Sequence, residues 1–177
     1  MFTDNFIKAQ KEIFMNVSQS YKYADGTSGD PSYIPTAMIQ IGEILKLAKC
    51  GDPTSDISTS AVYFGTGSTP ATKNDYTLEA PITSGISFVS IGTPVLGKVR
   101  EGEFCCWNTY VVKNTTSEAI NIYEIGLFAS IQTGSTSPKY AKCLGERTVL
   151  TEPIVLVAGD EKIITYKITF NQTLNVE

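Results

Sequence analysis

The sequence predicts a mainly β fold, either a β-sandwich or a barrel, with one helix near the N-terminus. Apolar segments rich in strand-forming residues recur from Thr77 onward, and turn residues separate them about every eight to fifteen positions. In the last segment an apolar set alternates with a mostly polar set: Ile164, Tyr166, Ile168 and Phe170, against Ile163, Thr165, Lys167 and Thr169. This alternation predicts an antiparallel strand that buries the first set and turns the second toward solvent or a partner.

The segment from Asp4 to Val17 is the one with helical periodicity. Its apolar side chains recur at helical spacing, its charged residues lie opposite, and Thr3 or Asp4 can cap its first turn. Two surfaces could bury the apolar stripe: the domain's own sheet or a neighbouring subunit, since a terminal helix is easily exchanged. The stripe is therefore a candidate interface, formed by Phe6, Ile7, Ile13, Phe14 and Val17.

Residues 18–60 contain little regular periodicity. A loop is predicted from Ser18 to Pro35, with a turn at Asp25-Gly26. Three tyrosines in or beside it are either packing residues or contact residues for a partner: Tyr21, Tyr23 and Tyr33. The segment Thr36 to Ala48 suits a strand or a helix, and Gly42 at its centre favours the strand. We therefore divide the chain into residues 1–60, a helix and extended loop region that could serve as an assembly arm, and residues 61–177, the β domain.

A short strand, Ala61 to Thr66, runs into the glycine-rich segment Gly65 to Pro70. This segment is only superficially like a phosphate-binding loop, because it lacks the Lys-Ser/Thr ending and no helical pattern follows it. It is instead predicted to carry small residues past other backbone.

Several longer strands follow the glycine-rich segment. They are predicted at Ile82 to Ile91, Gly97 to Val112 and Ala119 to Ile131, with a break at Gly92-Thr93-Pro94. Two shorter strands, Tyr140 to Leu144 and Arg147 to Leu150, are predicted on either side of Gly145.

Alternation along the strand from Ala119 to Ile131 predicts two faces: Asn121, Tyr123, Ile125, Leu127, Ala129 and Ile131 on one, and Ile120, Ile122, Glu124, Gly126 and Phe128 on the other. Both faces are mostly apolar, which predicts a central strand covered on both sides. Glu124 is the exception, and an acid in a covered strand needs hydrogen-bond or charge partners. We predict that its carboxylate ties down a loop by accepting backbone or hydroxyl hydrogen bonds. Gly126 indicates a bulge or the close approach of another backbone.

The composition narrows the function classes. At 177 residues and 42% hydrophobic residues the chain can form one domain with a real core, whereas 18% charged residues is low and fits a surface covered by partners. A net charge of -4 without a long basic run disfavours nucleic-acid binding. Histidine is absent, which removes the commonest general base and metal ligand.

The four cysteines contain no CxxC pair, so we expect buried free thiols rather than a zinc site: Cys50, Cys105, Cys106 and Cys143.

No signal peptide and no apolar run of membrane-spanning length is visible, so we expect the chain to be made in a cytoplasm. No catalytic motif joins its carboxylates. We therefore expect no catalytic residue, no cofactor, no metal and no small-molecule substrate.

Three blocks of sequence, taken in order, carry a resemblance to a known group of proteins. The first is residues 64–70, FGTGSTP, followed by Thr72, Asp75, Leu78 and Glu79. The second is residues 122–128, IYEIGLF. The third runs from Arg147-Thr148-Val149-Leu150 through Pro153 and Ala158-Gly159-Asp160 to the strand Ile163 to Phe170. Together they resemble small virion structural proteins of tailed bacteriophages, of the tail or tail-fibre-associated kind, over about residues 61 to 170.

The resemblance implies an antiparallel two-layer β-sandwich, immunoglobulin-like or jelly-roll-like, that serves as a building block of a virus particle without catalysis. The implied partners are other virion proteins and copies of the same chain, with no nucleic acid and no membrane. A tail, baseplate or fibre-attachment component, made in the bacterial host cytoplasm and residing in the virion, is the first expectation. The alternatives are a capsid decoration protein and a carbohydrate- or surface-binding module, the latter requiring exposed aromatic residues around a groove.

Overall fold

The structure, a computed structural model, describes residues 1–8, 20–29, 44–55, 59–100, 103–133 and 139–171, and it is mainly β as predicted. Residues 4–8 and 44–45 are helical. The strands are β1 (Tyr21–Lys22), β2 (Ser28–Gly29), β3 (Ala48–Lys49), β4 (Ala61–Gly65), β5 (Ile86–Ile91), β6 (Val95–Arg100), β7 (Glu103–Asn114), β8 (Ile120–Thr133), β9 (Lys139–Leu156) and β10 (Glu161–Asn171).

These strands form two four-stranded sheets and one small hairpin. The sheet that we call the β8 sheet has the order β3-β4-β8-β9, and only its β3–β4 pair is parallel. In the second sheet, the β7 sheet, β7 lies between β10 and β5, and β6 also pairs with β7. Because β5 and β6 pair antiparallel with opposite halves of β7, they act as two segments of one interrupted strand. The predicted run from Gly97 to Val112 is therefore two antiparallel strands rather than one.

The β8 sheet is buried on both faces, which confirms the prediction for its central strand. One face contributes Phe64, Ile125 and Leu127 to the main core, and that core also takes Tyr110 and Ile164 from the β7 sheet. The opposite face carries a second apolar cluster: Ala24, Ala61, Tyr63, Leu78, Phe128 and Leu144. The main core thus takes side chains from both sheets, and the second cluster lies on the opposite face of the β8 sheet.

The last strand has the predicted register. Ile164, Tyr166 and Ile168 are buried, whereas Ile163 is 73% exposed. The side chain of Phe170 lies outside the described residues. The period-two pattern was sufficient here because β10 pairs with β7 without any register shift.

The prediction of two short strands around Gly145 is wrong, because β9 is one strand of 18 residues. Gly145 is instead the extra residue of an irregularity, where Leu127 pairs with Glu146 and Phe128 with Leu144. A second irregularity leaves residues 150–153 without partners on β8. Pro153 is tolerated there because it has no ladder hydrogen bond to donate and β9 is an edge strand.

The predicted alternation along β8 fails at its start. Ile120 and Ile122 were expected to face away from Ile125, yet all three pack with the main core. The register shift between Ile122 and Glu124 explains the change, since a bulge turns the preceding residues to the other face of the sheet.

The N-terminal residues belong to this core. Phe6 is 5% exposed, and its ring stacks on that of Phe2 with 4.2 Å between the centroids. Phe2 forms a bridge with Glu146 on β9. The Thr3 hydroxyl donates to the Leu144 carbonyl at 2.6 Å, which ties the start of the helix to β9.

Three of the candidate interface residues are therefore packing residues of this chain. Phe6, Tyr21 and Tyr23 are buried in the main core, so for them the interpretation as a partner surface is replaced by the alternative of plain packing. Ile7 is 40% exposed and remains available to a partner. The predicted Ile13, Phe14, Val17 and Tyr33 lie outside the described residues.

Residues 36–43 of the segment Thr36 to Ala48 lie outside the described residues. Residues 44 and 45 are helical, so the predicted strand is wrong for this part of the segment. The short turn buries both Ile44 and Leu45, which an extended strand would turn to opposite faces. The Leu45 carbonyl accepts hydrogen bonds from Asn108 Nδ2 at 2.7 Å and from the Tyr110 hydroxyl at 2.8 Å.

The expectation of free thiols is confirmed, since all four cysteines are free. Cys105, Cys106 and Cys143 are buried, and Cys50 is half-buried. Burial raises the pKa of the Cys143 thiol. Since the thiolate is the nucleophile, a raised pKa makes the Cys143 thiol a packing group of low reactivity.

Candidate functional site

Two neighbouring loop segments and one distant arginine meet at Glu124 on β8. They are the glycine-rich loop after β4, the segment from Asp75 to Ala80 and Arg147 on β9. We call Glu124, Arg147, Asp75 and Glu79 the Arg147 cluster.

The Glu124 carboxylate is fully buried and uses both oxygens. Its Oε1 accepts from the backbone N–H groups of Gly67 at 3.2 Å and Ala80 at 2.8 Å. Its Oε2 accepts from the backbone N–H of Glu79 at 3.1 Å and from Arg147 Nε at 2.7 Å. The predicted role is confirmed, since the carboxylate ties two loop segments to β8 through backbone hydrogen bonds.

Arg147 supplies the charge partner. Its Nη1 donates to Asp75 Oδ2 at 2.8 Å, and its Nη2 lies 3.4 Å from Glu79 Oε2. One guanidinium thus contacts three carboxylates through three nitrogens, a geometry that a lysine ammonium cannot reproduce. Sequence reasoning missed this role, although Arg147 opens the third resemblance block and a buried Glu124 required a partner.

The cluster shifts the pKa values of its outer members. Partial burial raises the pKa of Asp75, but hydrogen bonds from the Thr72 backbone and from Arg147 outweigh it and lower that pKa below its usual range. Hydrogen bonds from Thr69 lower the pKa of Glu79, and Arg147 adds to the effect. Burial lowers the pKa of Arg147, but its carboxylate partners raise it on balance. The charged forms of all three are therefore favoured.

These shifts predict a loss of stability in acid. A depressed carboxyl pKa gives stability that is present above the ordinary pKa and is lost as the pH falls through the folded-state value. For Asp75 and Glu79 the ordinary values are 3.8 and 4.5, so we expect the urea midpoint to fall from about pH 4.5 downward. Asp75→Asn should make this fall shallower. An equally steep fall in the variant would contradict the assignment.

The glycine-rich loop passes close to the cluster, as predicted. A Cβ on Gly67 would lie 2.5 Å from Glu79 Cβ and 2.6 Å from Glu124 Oε1. A Cβ on Gly65 would lie 2.7 Å from the Ala80 carbonyl oxygen. Any larger residue would push the loop away from the carboxylate that holds it.

We therefore expect Gly67→Ala to lower the free energy of unfolding by about 1–3 kcal/mol through overpacking. Ser68→Ala is the matched control, because Ser68 is the exposed next residue. Urea unfolding followed by circular dichroism measures both. Equal stability of the two variants would show that the loop is not held as tightly as its contacts indicate.

The need for a glycine at position 126 comes from neighbouring side chains, not from the predicted bulge or close approach of another backbone. A Cβ there would meet side chains rather than backbone, with Leu78 Cδ2 at 2.8 Å and Phe128 Cε2 at 2.9 Å. The bulges of β8 lie on either side of it. Gly126 thus makes room for the second apolar cluster.

A second buried carboxylate, missed by sequence reasoning, joins the two sheets. Glu146 on β9 accepts hydrogen bonds from the Tyr166 hydroxyl on β10 and from the Thr148 hydroxyl at 2.7 Å. The Met1 amino group lies 2.6 Å from its Oε1. Burial, followed by the nearby Glu146 charge, raises the pKa of Tyr166. The contact fixes the edge of one sheet to the edge of the other.

The outer face of the β7 sheet is partly apolar and exposed. Ile163 is paired with Val111, and Lys167 and Val95 are both paired with Trp107. Ile163 is 73% and Val95 42% exposed, and Trp107 is half-buried over Gly97. We call this surface the outer β7 face. It combines apolar and polar groups in the manner of a protein contact surface.

Two clefts flank Tyr123. The first, about 620 Å³, is lined mainly by hydroxyl and small apolar groups, among them Thr66, Thr83, Ser84 and Thr116. The second, about 500 Å³, includes Ser68, Pro70 and Thr148. Tyr123 lines both clefts and is the one aromatic residue of either lining.

Within the described ranges, no set of three or more histidine, cysteine or acidic side chains is arranged to hold a metal ion. The carboxylates of the Arg147 cluster neutralise a guanidinium instead. None of the described helices has the length and apolar character that crossing a membrane requires.

Comparison with models of protein families, with curated proteins and with solved structures finds no match to this chain.

Proposed function

We propose that the chain is a non-enzymatic structural protein of a tailed-bacteriophage virion, with a two-layer β-sandwich of the immunoglobulin-like or jelly-roll-like kind as its body. A tail, baseplate or fibre-attachment component is the proposed position. The chain acts there through contacts with other virion proteins and with its own copies, after synthesis in the bacterial host cytoplasm.

The observation that carries this proposal is the convergence of the three resemblance blocks. The first block supplies Gly67, Asp75 and Glu79, the second supplies Glu124, and the third supplies Arg147. Their polar groups satisfy one another: Arg147 neutralises acids, and Glu124 accepts from backbone N–H groups. The residues behind the resemblance therefore hold loops in place, which is the role expected in a building block.

The surfaces support the same proposal. The outer β7 face exposes Ile163 and Val95 beside Trp107, and isolated exposed apolar residues become significant where they share one face. The paired charges and backbone bonds of the cluster keep the body rigid, so that such a face can be presented in one geometry.

Mass spectrometry of density-purified phage particles tests the proposal. We expect the chain at a fixed copy number per particle, with gold-labelled antibodies at the tail in electron micrographs. Label on the head surface would replace the tail position by capsid decoration. Absence of the chain from washed particles would overturn the virion assignment.

A second candidate function is the binding of a surface carbohydrate beside Tyr123. The first cleft offers several hydroxyl groups around an aromatic ring, and aromatic faces with neutral hydrogen-bonding groups suit sugar rings. A glycan array with the purified chain and with Tyr123→Ala tests it. Binding that disappears in the variant would support this candidate, and an array without signal would remove it.

A further inference from the structure

The strand β10 is a long and regular edge. It pairs with β7 over its 11 residues with no register shift. In the part of the chain that the structure describes, β10 pairs with β7 alone, so its other edge presents backbone N–H and C=O groups. Its sequence contains no proline. Such an edge is a template for the addition of another strand.

One edge strand of the β8 sheet, β9, has features that hinder the addition of another strand. β9 contains Pro153 and two irregularities, and the N-terminal residues cover part of its edge. The Thr3 N–H donates to the Gly145 carbonyl at 3.0 Å, and the Arg147 N–H donates to the Met1 carbonyl at 3.0 Å. Proline, bulges and covering segments are the devices that keep edges from pairing. β9 carries all three, whereas β10 carries neither a proline nor a bulge.

The charges on the exposed face of β10 are complementary between two copies of the strand that run antiparallel. Glu161 stands near the start and Lys167 near the end, with Ile163 and Thr165 between them. Two such strands, run antiparallel about Ile164, place Glu161 of each copy opposite Lys167 of the other, and Ile163 opposite Thr165. Oppositely charged residues directly across an antiparallel pair are favourable. A register centred on Ile163 or Thr165 loses both charge pairs.

The two charged groups are available for this pairing. Glu161 accepts from Lys113 at 2.9 Å in an exposed pair, which leaves its second oxygen open to another cation. Lys167 is exposed, and it forms no ion pair with any described residue.

We propose that β10 pairs antiparallel with β10 of a second copy of this chain, about a twofold axis through Ile164. The β7 sheets of the two copies then form one continuous sheet, and their outer β7 faces become contiguous around Ile163. This proposal deepens the proposed function, on which it rests, by naming a second copy as the partner and β10 as the contact.

The pairing is tested by reversing charges on β10, mixing the variants and measuring dimerisation by sedimentation velocity. We expect the wild-type chain to form dimers, and Glu161→Lys and Lys167→Glu alone to dimerise at least about tenfold more weakly, because each places like charges opposite one another. An equimolar mixture of the two variants should recover the dimer, because opposite charges then face each other at both ends of the mixed pair. The chain carrying both changes should also recover it. Glu118→Lys, an exposed reversal elsewhere, is the control and should dimerise like the wild type.

Recovery on mixing separates lost pairing from lost folding, because misfolded chains do not complement each other. A wild-type chain that stays monomeric, a dimer that ignores the single reversals, or variants that fail to recover on mixing would each overturn the proposal. These outcomes are distinct from failure of the proposed function, which is measured by the presence of the chain in particles.

Discussion

Replacement of Arg147 by methionine is expected to lower the free energy of unfolding by about 3–5 kcal/mol, because it leaves a buried charge without its partner. Glu124 is fully buried, and Arg147 is its counter-charge at 2.7 Å. Methionine keeps much of the volume of the arginine stem, so the effect reports the charge rather than a cavity. Urea unfolding at pH 7 measures it.

Three further variants sharpen this test. Arg147→Lys keeps the positive charge but not the planar guanidinium that contacts three carboxylates. We therefore expect a loss of stability smaller than that of Arg147→Met. Glu124→Gln should cost about 1–3 kcal/mol, since its amide N–H₂ would face backbone N–H donors that the carboxylate satisfied. Glu79→Gln, at the exposed rim of the cluster, is the control with a small effect.

The double variant Glu124→Gln with Arg147→Met decides the mechanism. If the loss in Arg147→Met comes from the uncompensated carboxylate, removing both charges should cost less than the sum of the single changes, with a coupling of about 0.5–3 kcal/mol. Strict additivity would mean that Arg147 stabilises the fold through packing and through Asp75 alone.

Phe6→Ala is expected to lower the free energy of unfolding by about 3–5 kcal/mol, because it leaves a cavity in the core. Phe6 is 5% exposed and stacks on Phe2, and the neighbouring Asn5 holds Lys22 by accepting from its N–H and donating to its carbonyl. The first residues are thus bound to the β domain at several points. Circular dichroism during urea unfolding measures the loss.

Ile7→Ala is the matched control, because Ile7 is 40% exposed and surface changes usually stay within about 0.5 kcal/mol. The pair also decides between the two alternatives for the N-terminal helix. An unstable Phe6→Ala with normal Ile7→Ala places the start of the helix in the chain's own core. A stable Phe6→Ala that no longer assembles would return Phe6 to a partner interface.

The parts of the fold that the sequence predicts are those governed by local period. The faces of β10 follow from alternation, and burial of Glu124 follows from apolar residues on both faces of β8. The need for partners at Glu124 is then a matter of solvation, which is independent of topology.

The remainder depends on contacts between distant residues. Nothing local selects Arg147 among the 14 lysines and arginines as the partner of Glu124. The reversal of faces at Ile122 arises from a bulge whose position depends on the pairing of β8 with β9. The helical periodicity predicts that the apolar stripe containing Phe6 is buried. It does not identify the chain whose surface covers this stripe.

The wide spacing of the Arg147 cluster has a consequence for synthesis on the ribosome. Asp75 and Arg147 are 72 residues apart, so at about 5–20 residues per second Asp75 waits about 4–14 seconds for its cation, whereas Glu124, 23 residues before Arg147, waits about 1–5 seconds. Until Arg147 is made, both carboxylates lack this counter-charge, and water must solvate them. The nascent chain can therefore close this part of the domain only after β9 has emerged, which makes the arrival of Arg147 a timing step in folding.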